Sequence, residues 1–557
     1  MASDQLVFVP LGGVGEIGMN LALYGFGKGR ERQWLAVDMG VSFAKEDLPG
    51  VDGILPDISF LLERKRNLVG IAITHAHEDH FGALFELWPQ LEVPVFMTPF
   101  AAGLLAAKKE SERGAPNIPV QVVQQGERFS AGPFDLEYIP MSHSIPEPNS
   151  IAIRTPAGLV LHTGDWKLDP TPLVGKPTDA ARLAALGEEG ILALICDSTN
   201  AYRDGVSPSE ADVAKVLEEM IANSPNRIVV TTFASNIARL RTVALAAQKA
   251  GREVVVIGRA MQRALGVAEE LGYLEGVGPI RDQDAFGYLP RDKVLALMTG
   301  SQGEPRAALA RIANGDHRDV ALASGDRVIF SSRTIPGNER SVNGIINALV
   351  DLGIEIVTDS DGLVHVSGHP RRDELRQMYA WTKPQILIPV HGEARHLREQ
   401  VKLATAEGIP EVVELRNGKM VRLSPSPAAV ISEVKTGRLY RDGNLLLPPE
   451  ASGVTDRRRL SFAGSVTVAL AMATDGDLLD DPQIAIIGLP MIDNKGVAFQ
   501  SIVEDAIENA LASMPRQRRK DASTVREAVR RAVRNEVAAI WGKKPATAVL
   551  ISVIEDE

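Results

Sequence analysis

Apolar positions along the chain fall first into short runs. Residues 6–11, 21–24, 34–38 and 71–74 are such runs, set off by Gly-rich or polar turns, which is the length and punctuation of buried strands. Helical spacing intervenes at 83–88 and 101–110, and strand-like runs return at 136–139, 151–155, 159–162 and 191–197. Strands mixed with helices predict a layered α/β domain. From Ser209 to about Gly368 the pattern becomes a regular alternation: helix 210–223, strand 227–232, helix 237–250, and strands 253–257, 294–298 and 328–331. That is the signature of stacked βαβ units and predicts a second α/β domain. Residues 385–390 then read as another buried strand, ending in His391, and the Pro- and Ser-rich stretch 424–428 reads as a boundary. From about Arg457 a third unit follows, with strands 465–472 and 483–487, helices 501–513 and 523–541, and a closing strand 546–554.

Composition narrows the class. A chain of 557 residues is too long for one hydrophobic core, and about two to four domains are expected. Hydrophobic residues at 45% and charged residues at 24% fit a globular protein, and no apolar run is long enough to span a membrane. The start, Met1-Ala2-Ser3-Asp4, lacks the basic segment of a signal peptide. The single cysteine, Cys196, excludes an internal disulfide and fits a cytoplasmic location. It also leaves imidazole and carboxylate as the ligands for any zinc. A net charge of -11 argues against nonspecific coating of nucleic acid, although a local basic groove would escape that argument.

Gly13-Val14-Gly15-Glu16-Ile17-Gly18 matches the GxGxxG of dinucleotide-binding proteins, with Asp38 twenty positions after Gly18. The match requires a helix after the last glycine, so that its amides meet a pyrophosphate. Residues 19–27 are too short and too soon broken by Gly25 and Gly27. A strand–turn–strand is expected instead.

The strongest chemical signal is Thr74-His75-Ala76-His77-Glu78-Asp79-His80. Three of only ten histidines crowd into six positions beside an aspartate, directly after an apolar strand. Alternate residues leaving a strand can face one way, so His75 and His77 suit one metal, while Asp79 and His80 can face a second. Further candidates end other predicted strands: His143, Asp165 after His162-Thr163-Gly164, and His391. A carboxylate such as Asp165 can bridge two cations ~3.5–4 Å apart. His162 reads as a structural neighbour.

In this order, THxHxDH, then His143, then TGD at Asp165, the chain resembles the metallo-β-lactamase superfamily. Cys196-Asp197-Ser198-Thr199, Ser367-Gly368-His369 and Pro389-Val390-His391-Gly392-Glu393 are similar to the three motifs of the β-CASP nucleases. The phrases LGGVGEIGMN, THAHEDHFGAL, SHSIPEPNSIAI, TGDWKLD, TFASNIARL, TGSQGEPRAALARIANG and HVSGH resemble the bacterial ribonuclease J family. The resemblance covers the chain to about Gly443 and, more loosely, the remainder.

It implies a metallo-β-lactamase αββα sandwich, an inserted β-CASP α/β domain and a small α+β C-terminal domain. The matching segments are 1–208 for the first part of the lactamase-like domain and 209–369 for the β-CASP domain. Residues 370–450 are the second part with a linker, and 451–557 the C-terminal domain, implied to support self-association. It implies two Zn2+, with Mn2+ or Mg2+ also able to support activity. His75, His77, His143 and Asp165 would hold one ion; Asp79, His80, Asp165 and His391 the other. Asp38 would hydrogen-bond around the metal-bearing loop. Asp79 and Asp197 would assist catalysis, and His369 would protonate the departing sugar oxygen. A 5′-phosphate pocket would be built from Phe233, Ala234 and Ser235, from Ser331, Ser332 and Arg333, and from His365, Val366, Ser367, Gly368 and His369. Some members of such a family also carry a structural divalent cation, here near Leu48-Pro49-Gly50-Val51-Asp52.

The implied activity is 5′→3′ exoribonuclease action on 5′-monophosphorylated single-stranded RNA, with endonuclease action besides, in RNA maturation and decay, including rRNA processing. The implied assembly is a homodimer or tetramer, with partners from an RNA-degradation complex and no membrane. A DNA-processing β-CASP nuclease is the alternative, disfavoured because such enzymes usually carry an apolar residue where His391 stands. Small-molecule hydrolases of the superfamily lack the inserted domain. The basic clusters Arg457-Arg458-Arg459 and 516–520 read more readily as solvated faces than as RNA contacts.

Overall fold

The computed structural model describes residues 4–335 and 337–555. Two compact units divide the chain, residues 1–43 with 53–439, and residues 44–52 with 440–557.

Three large sheets dominate the described residues of the first unit. One has eight strands in the order Ala429–Glu433, Lys419–Ser424, Gln5–Gly12, Leu21–Gly27, Gln33–Val37, Leu68–Ala72, Val95–Met97, Val120–Val122. A second has seven, in the order Glu411–Val412, Ile386–Val390, Ile191–Asp197, Gly158–His162, Asn149–Thr155, Phe134–Pro140, Arg128–Ala131. Alternate side chains of these sheets meet in one core, with Phe8, Tyr24, Leu35 and Val37 from the first against Leu136, Tyr138, Ile153, Ile195 and Ile388 from the second. The opposite face of the second sheet is apolar too. Ile139, Leu161, Leu194 and Cys196 pack there against Leu183 and Leu186 of helix Ala180–Glu189 and Leu375 and Met378 of helix Arg372–Thr382. Strands buried on both faces explain why these runs read as continuously apolar rather than alternating. The result is the αββα sandwich.

The third sheet is wholly parallel, in the order Ile280–Asp282, Glu253–Ile257, Val294–Met298, Ile228–Thr231, Arg327–Phe330, Glu355–Val357. It is the inserted domain read from the alternation after Ser209. The chain enters it after strand Ile191–Asp197 and returns as strand Ile386–Val390, which pairs in parallel beside that same strand. The two joining segments are pinned together. The buried Glu374 carboxylate accepts the amides of Leu168, Ser207 and Arg371.

One expectation needs correction. Residues 424–428 are no boundary; they turn between the antiparallel strands Lys419–Ser424 and Ala429–Glu433, which extend the first sheet. The Gly-rich segment is the strand–turn–strand expected and not a dinucleotide loop. Strand Gln5–Gly12 pairs antiparallel with Leu21–Gly27, and no helix lies between them. In the second unit the sheet Gln483–Ile487, Ser465–Ala473, Ala546–Ile554 buries Val466, Val468 and Val549 against helices Phe499–Ala512 and Ala522–Trp541. Among the described residues no helix is long and apolar enough to cross a membrane.

Candidate metal centre

The site forms where strands of the two main sheets end. The chain leaves strand Leu68–Ala72 through Ile73 and Thr74 into the His75–His80 segment, whose last residues form a short helical turn. His143 follows strand Phe134–Pro140, Asp165 follows Gly158–His162, Asp197 closes Ile191–Asp197, and His391 directly follows Ile386–Val390. Ends of parallel neighbours converge on one edge, which is how residues more than three hundred positions apart become neighbours.

Two four-residue groups result, His75, His77, His143 and Asp165, and Asp79, His80, Asp165 and His391. Within each, one ligand atom per residue lies within 4.8 Å of the others. Asp165 belongs to both: its Oδ2 is 3.2 Å from His80 Nε2, 3.3 Å from His391 Nε2, 3.7 Å from His143 Nε2 and 3.9 Å from His75 Nε2. The His77 Nδ1 lies 3.0 Å from His75 Nε2 and 3.1 Å from His143 Nε2.

The outer nitrogens of four of these rings are already committed. His80 Nδ1 donates to Asp38 Oδ2 at 2.7 Å, and His143 Nδ1 donates to the Gly368 carbonyl at 2.6 Å. His391 Nδ1 donates to Asn20 Oδ1 at 3.0 Å, and His75 Nδ1 lies 3.0 Å from the Thr74 hydroxyl. Each bond leaves the Nε2 lone pair turned inward, the tautomer a divalent cation needs. Asp165 Oδ1 is buried without a hydrogen-bond partner. A buried carboxylate oxygen in that state is costly unless a cation satisfies it. The donor set therefore fits two divalent ions of the borderline kind, nitrogen-rich with a shared carboxylate.

Electrostatics agree. Burial pushes His77 down to about 4, and holds His75 and His143 well below the usual imidazole range, so these rings stay neutral. Burial opposes protonation of His80 as well, but Asp165, Asp79 and Asp38 outweigh it and raise its pKa strongly. The negative charge that would draw a proton onto His80 would draw a metal ion equally well.

The backbone is shaped for these contacts. Asp38 and His391 both hold left-handed conformations, with φ of 63° and 50°, unusual for residues with side chains and of order 1–3 kcal/mol each. A Cβ on Gly40 would stand 1.7 Å from the Asp79 carbonyl oxygen, so only glycine lets the two loops pass. A Cβ on Gly368 would stand 2.4 Å from His143 Nδ1.

Beside these two groups, His369 Nδ1 pairs with Asp197 Oδ2 at 2.8 Å and lies 3.9 Å from Asp165 Oδ2. Burial lowers the affinity of His369 for a proton, yet Asp197 and Asp165 reverse that and bring it up to about 9. Asn200, which nothing in the sequence singled out, fixes this segment by donating to Ser367 Oγ at 2.8 Å and to the His369 carbonyl at 3.1 Å. His162 is structural, its Nδ1 2.8 Å from the Tyr24 hydroxyl.

The expected phosphate-pocket segments do gather at the carboxyl ends of the parallel strands Ile228–Thr231 and Arg327–Phe330. Thr232 Oγ1 donates to the Ser331 carbonyl, and Ser331 Oγ donates to the Val364 carbonyl just before His365. Phe233, Ala234 and Ser235 are half-buried ahead of helix Ile237–Lys249; Arg333 is exposed; His365 and Ser367 are half-buried. Ser331 is a correction. It is fully buried, and its hydroxyl is spent on Val364 and on Arg239 Nη1 at 2.5 Å, so it has no donor to offer a phosphate. Ser332 and Val366 are buried as well. The segment Leu48–Asp52 contributes to no metal-binding group of three or more His, Cys, Asp or Glu among the described residues. In the basic cluster 516–520, Arg516 is paired with Asp475 and Asp477.

Comparisons with known proteins agree with this architecture. Residues 39–229 match the metallo-beta-lactamase superfamily, 225–349 the ribonuclease J beta-CASP domain, 353–413 the Zn-dependent metallo-hydrolase RNA specificity domain, and 452–554 the ribonuclease J C-terminal domain. The chain is 54% identical to ribonuclease J of Sinorhizobium meliloti over 100% of its own length and 98% of that protein. It is 37% identical to ribonuclease J of Mycolicibacterium smegmatis over 100% and 98%, and 38% identical to that of Thermus thermophilus over 85% and 83%. A crystal structure of a protein of unknown function from Enterococcus faecalis shares the fold, with a TM-score of 0.52 at 16% identity over 75% of this chain and 100% of that one. With its lactamase-like, β-CASP and C-terminal segments all matched and a full-length relative at 54% identity, the chain belongs to the ribonuclease J family.

Proposed function

We propose that this chain hydrolyses RNA phosphodiester bonds with two zinc ions, as a 5′→3′ exonuclease on 5′-monophosphorylated RNA that also cuts internally. Membership of the family supports the broader statement, a metal-dependent ribonuclease. The observation that carries the finer reading is Asp165, whose Oδ2 faces both ligand groups while its Oδ1 has no protein partner. Bound ions of this kind supply activated water and neutralise a phosphate's charge. His75, His77 and His143 would hold one ion and Asp79, His80 and His391 the other, with Asp165 between them. Asp38 and Thr74 keep these rings in register.

His369 is the proton donor for the departing sugar oxygen. Asp197 engages its Nδ1, so Nε2 is the nitrogen left to transfer a proton, and Asp197 is itself fixed by accepting the Thr199 amide at 2.9 Å. The 5′-phosphate would meet Ser235 and the backbone at the start of helix Ile237–Lys249, together with Arg333 and the His365–His369 segment. Phe233 serves as a stacking platform for a base. We place the enzyme in the cytoplasm, as a homodimer or tetramer with partners of an RNA-degradation complex.

The test is a time course on end-labelled RNA bearing 5′-monophosphate, triphosphate or hydroxyl, with and without chelator, and with a DNA strand of the same sequence. Fast release of single nucleotides from the monophosphorylated RNA alone supports the reading. Equal rates on all three ends reject the 5′-pocket, activity surviving chelation rejects the metal mechanism, and preferred cleavage of DNA rejects the RNA assignment.

A further inference from the structure

The Gly-rich segment Gly12–Asn20, which is no nucleotide loop, has no role in the mechanism above. It nevertheless runs along the segment that carries His391 and ends against the Asp79–His80 turn. The Gly13 carbonyl accepts the His391 amide at 2.7 Å, and Val14 and Gly15 pair in parallel with Gly392 and Glu393. At its end stands Asn20. Its Oδ1 accepts the His391 Nδ1 proton at 3.0 Å. Its Nδ2 donates to the Asp79 carbonyl at 2.9 Å and lies 3.1 Å from His80 Nε2 and 3.5 Å from Asp79 Oδ2. Its own amide donates to the same Asp79 carbonyl at 3.0 Å, and its carbonyl accepts the Gly40 amide. A Cβ on Gly13 would stand 2.2 Å from Asn20 Oδ1, so the loop is closed tightly around this one amide.

Asn20 thus reaches three of the four residues in the second group, Asp79, His80 and His391. It contacts none of His75, His77 and His143 through its side chain. We infer that Asn20 is a positioning residue for the second metal site, setting the tautomer of His391 and the height of the Asp79–His80 turn, and that the glycine loop exists to deliver it. The Nδ1 proton of His391 needs an acceptor so that Nε2 stays bare toward the ion, and the Asn20 carbonyl is the side chain that supplies it. An amide gives an acceptor to the ring and donors to the neighbouring turn at once, which a carboxylate or an aliphatic side chain cannot do.

This inference rests on the two-metal reading, and the experiment separates the two. The full-length protein, Asn20→Leu and Asn20→Asp are equilibrated with buffered Zn2+, and bound metal is counted by mass spectrometry across a range of free zinc. Thermal unfolding is followed with zinc and with chelator. The expected result for Asn20→Leu is one ion held as in the parent and a second released at ~10–100-fold higher free zinc. Its unfolding midpoint should fall further below the parent's with zinc than with chelator. Asn20→Asp keeps the acceptor for His391 but loses the donors to the Asp79 turn, so its second ion should be released at a free zinc between those of the parent and Asn20→Leu.

A parent protein that binds a single ion at saturation would overturn the two-metal reading itself. If the parent binds two and Asn20→Leu binds both equally well, the positioning role is wrong. Equal weakening of both ions, or a midpoint lowered as much with chelator as with zinc, would make Asn20 a residue of the fold and not of the site. Should Asn20→Leu fail to fold, loss of the second ion's affinity in Asn20→Asp as severe as in His391→Ala would likewise reject the role.

Discussion

Replacing His369 by alanine separates proton transfer from metal binding. His369 stands outside both four-residue groups, so its loss should leave two ions in place. What disappears is a ring held at 2.8 Å by a buried aspartate, with its other nitrogen available to the departing oxygen. A positioned acid contributes typically ~10²–10⁴-fold, which is about 2.7–5.4 kcal/mol of barrier. The upper half of that range is expected, because Asp197 is fully buried and pinned by Thr199, so no neighbouring group can swing into the vacated place. Single-turnover cleavage of monophosphorylated RNA measures the loss. The decisive comparison is a substrate whose departing sugar oxygen is replaced by sulfur, a thiolate that leaves without a proton. On that substrate His369→Ala should cost less than about tenfold. An equal loss on both substrates, or a fall in bound metal, would show that His369 shapes the site without donating a proton.

Three further outcomes follow from the same geometry. Dialysis against chelator should abolish cleavage and lower the unfolding midpoint, with Zn2+ or Mn2+ restoring both, since a ligand bound only by the folded state stabilises it; unchanged activity would contradict the metal centre. Gly40→Ala forces a Cβ into the Asp79 carbonyl, so the turn carrying Asp79 and His80 must shift, and cleavage should fall about 10²-fold or more, as for an ångström-scale misplacement of catalytic groups. Arg239→Met strands the buried Glu210 carboxylate, which Arg239 meets at 2.8 Å, and removes bonds to Ser331 and Val364; denaturant unfolding should report a loss of about 3–5 kcal/mol from the inserted domain, and a loss under about 1 kcal/mol would refute the argument.

Strands and chemistry were legible in the sequence wherever a signal was local. Ile191–Asp197, Glu253–Ile257 and Val294–Met298 have the bounds their apolar runs predicted, because a doubly buried strand must be apolar throughout and stops at its first polar loop; Gln483–Ile487 and Ala546–Ile554 also match, although neither is doubly buried. The His75–His80 segment is legible for a related reason: its residues share one short turn, so their spacing alone places them near each other. The misreadings came from groups whose role depends on distant partners. Residues 424–428 looked like a boundary because proline and serine mark turns equally well inside a sheet, and only pairing with Gln5–Gly12 shows which kind of turn this is. Ser331 entered the expected phosphate pocket through the family resemblance, since its spacing alone reads as an ordinary polar turn at a strand end; here Arg239 and Val364 consume its hydroxyl.

Asn20 shows the same limit most clearly. It lies 371 positions from the histidine whose proton it accepts, in a loop whose glycines imitate a different binding motif. Its meaning is created when strand Ile386–Val390 slots beside Ile191–Asp197 and brings His391 back to the N-terminal loop. Candidate metal ligands can be read from residue type. The groups that make those ligands the correct tautomer, at the correct height, are ordinary polar residues until the fold closes around them.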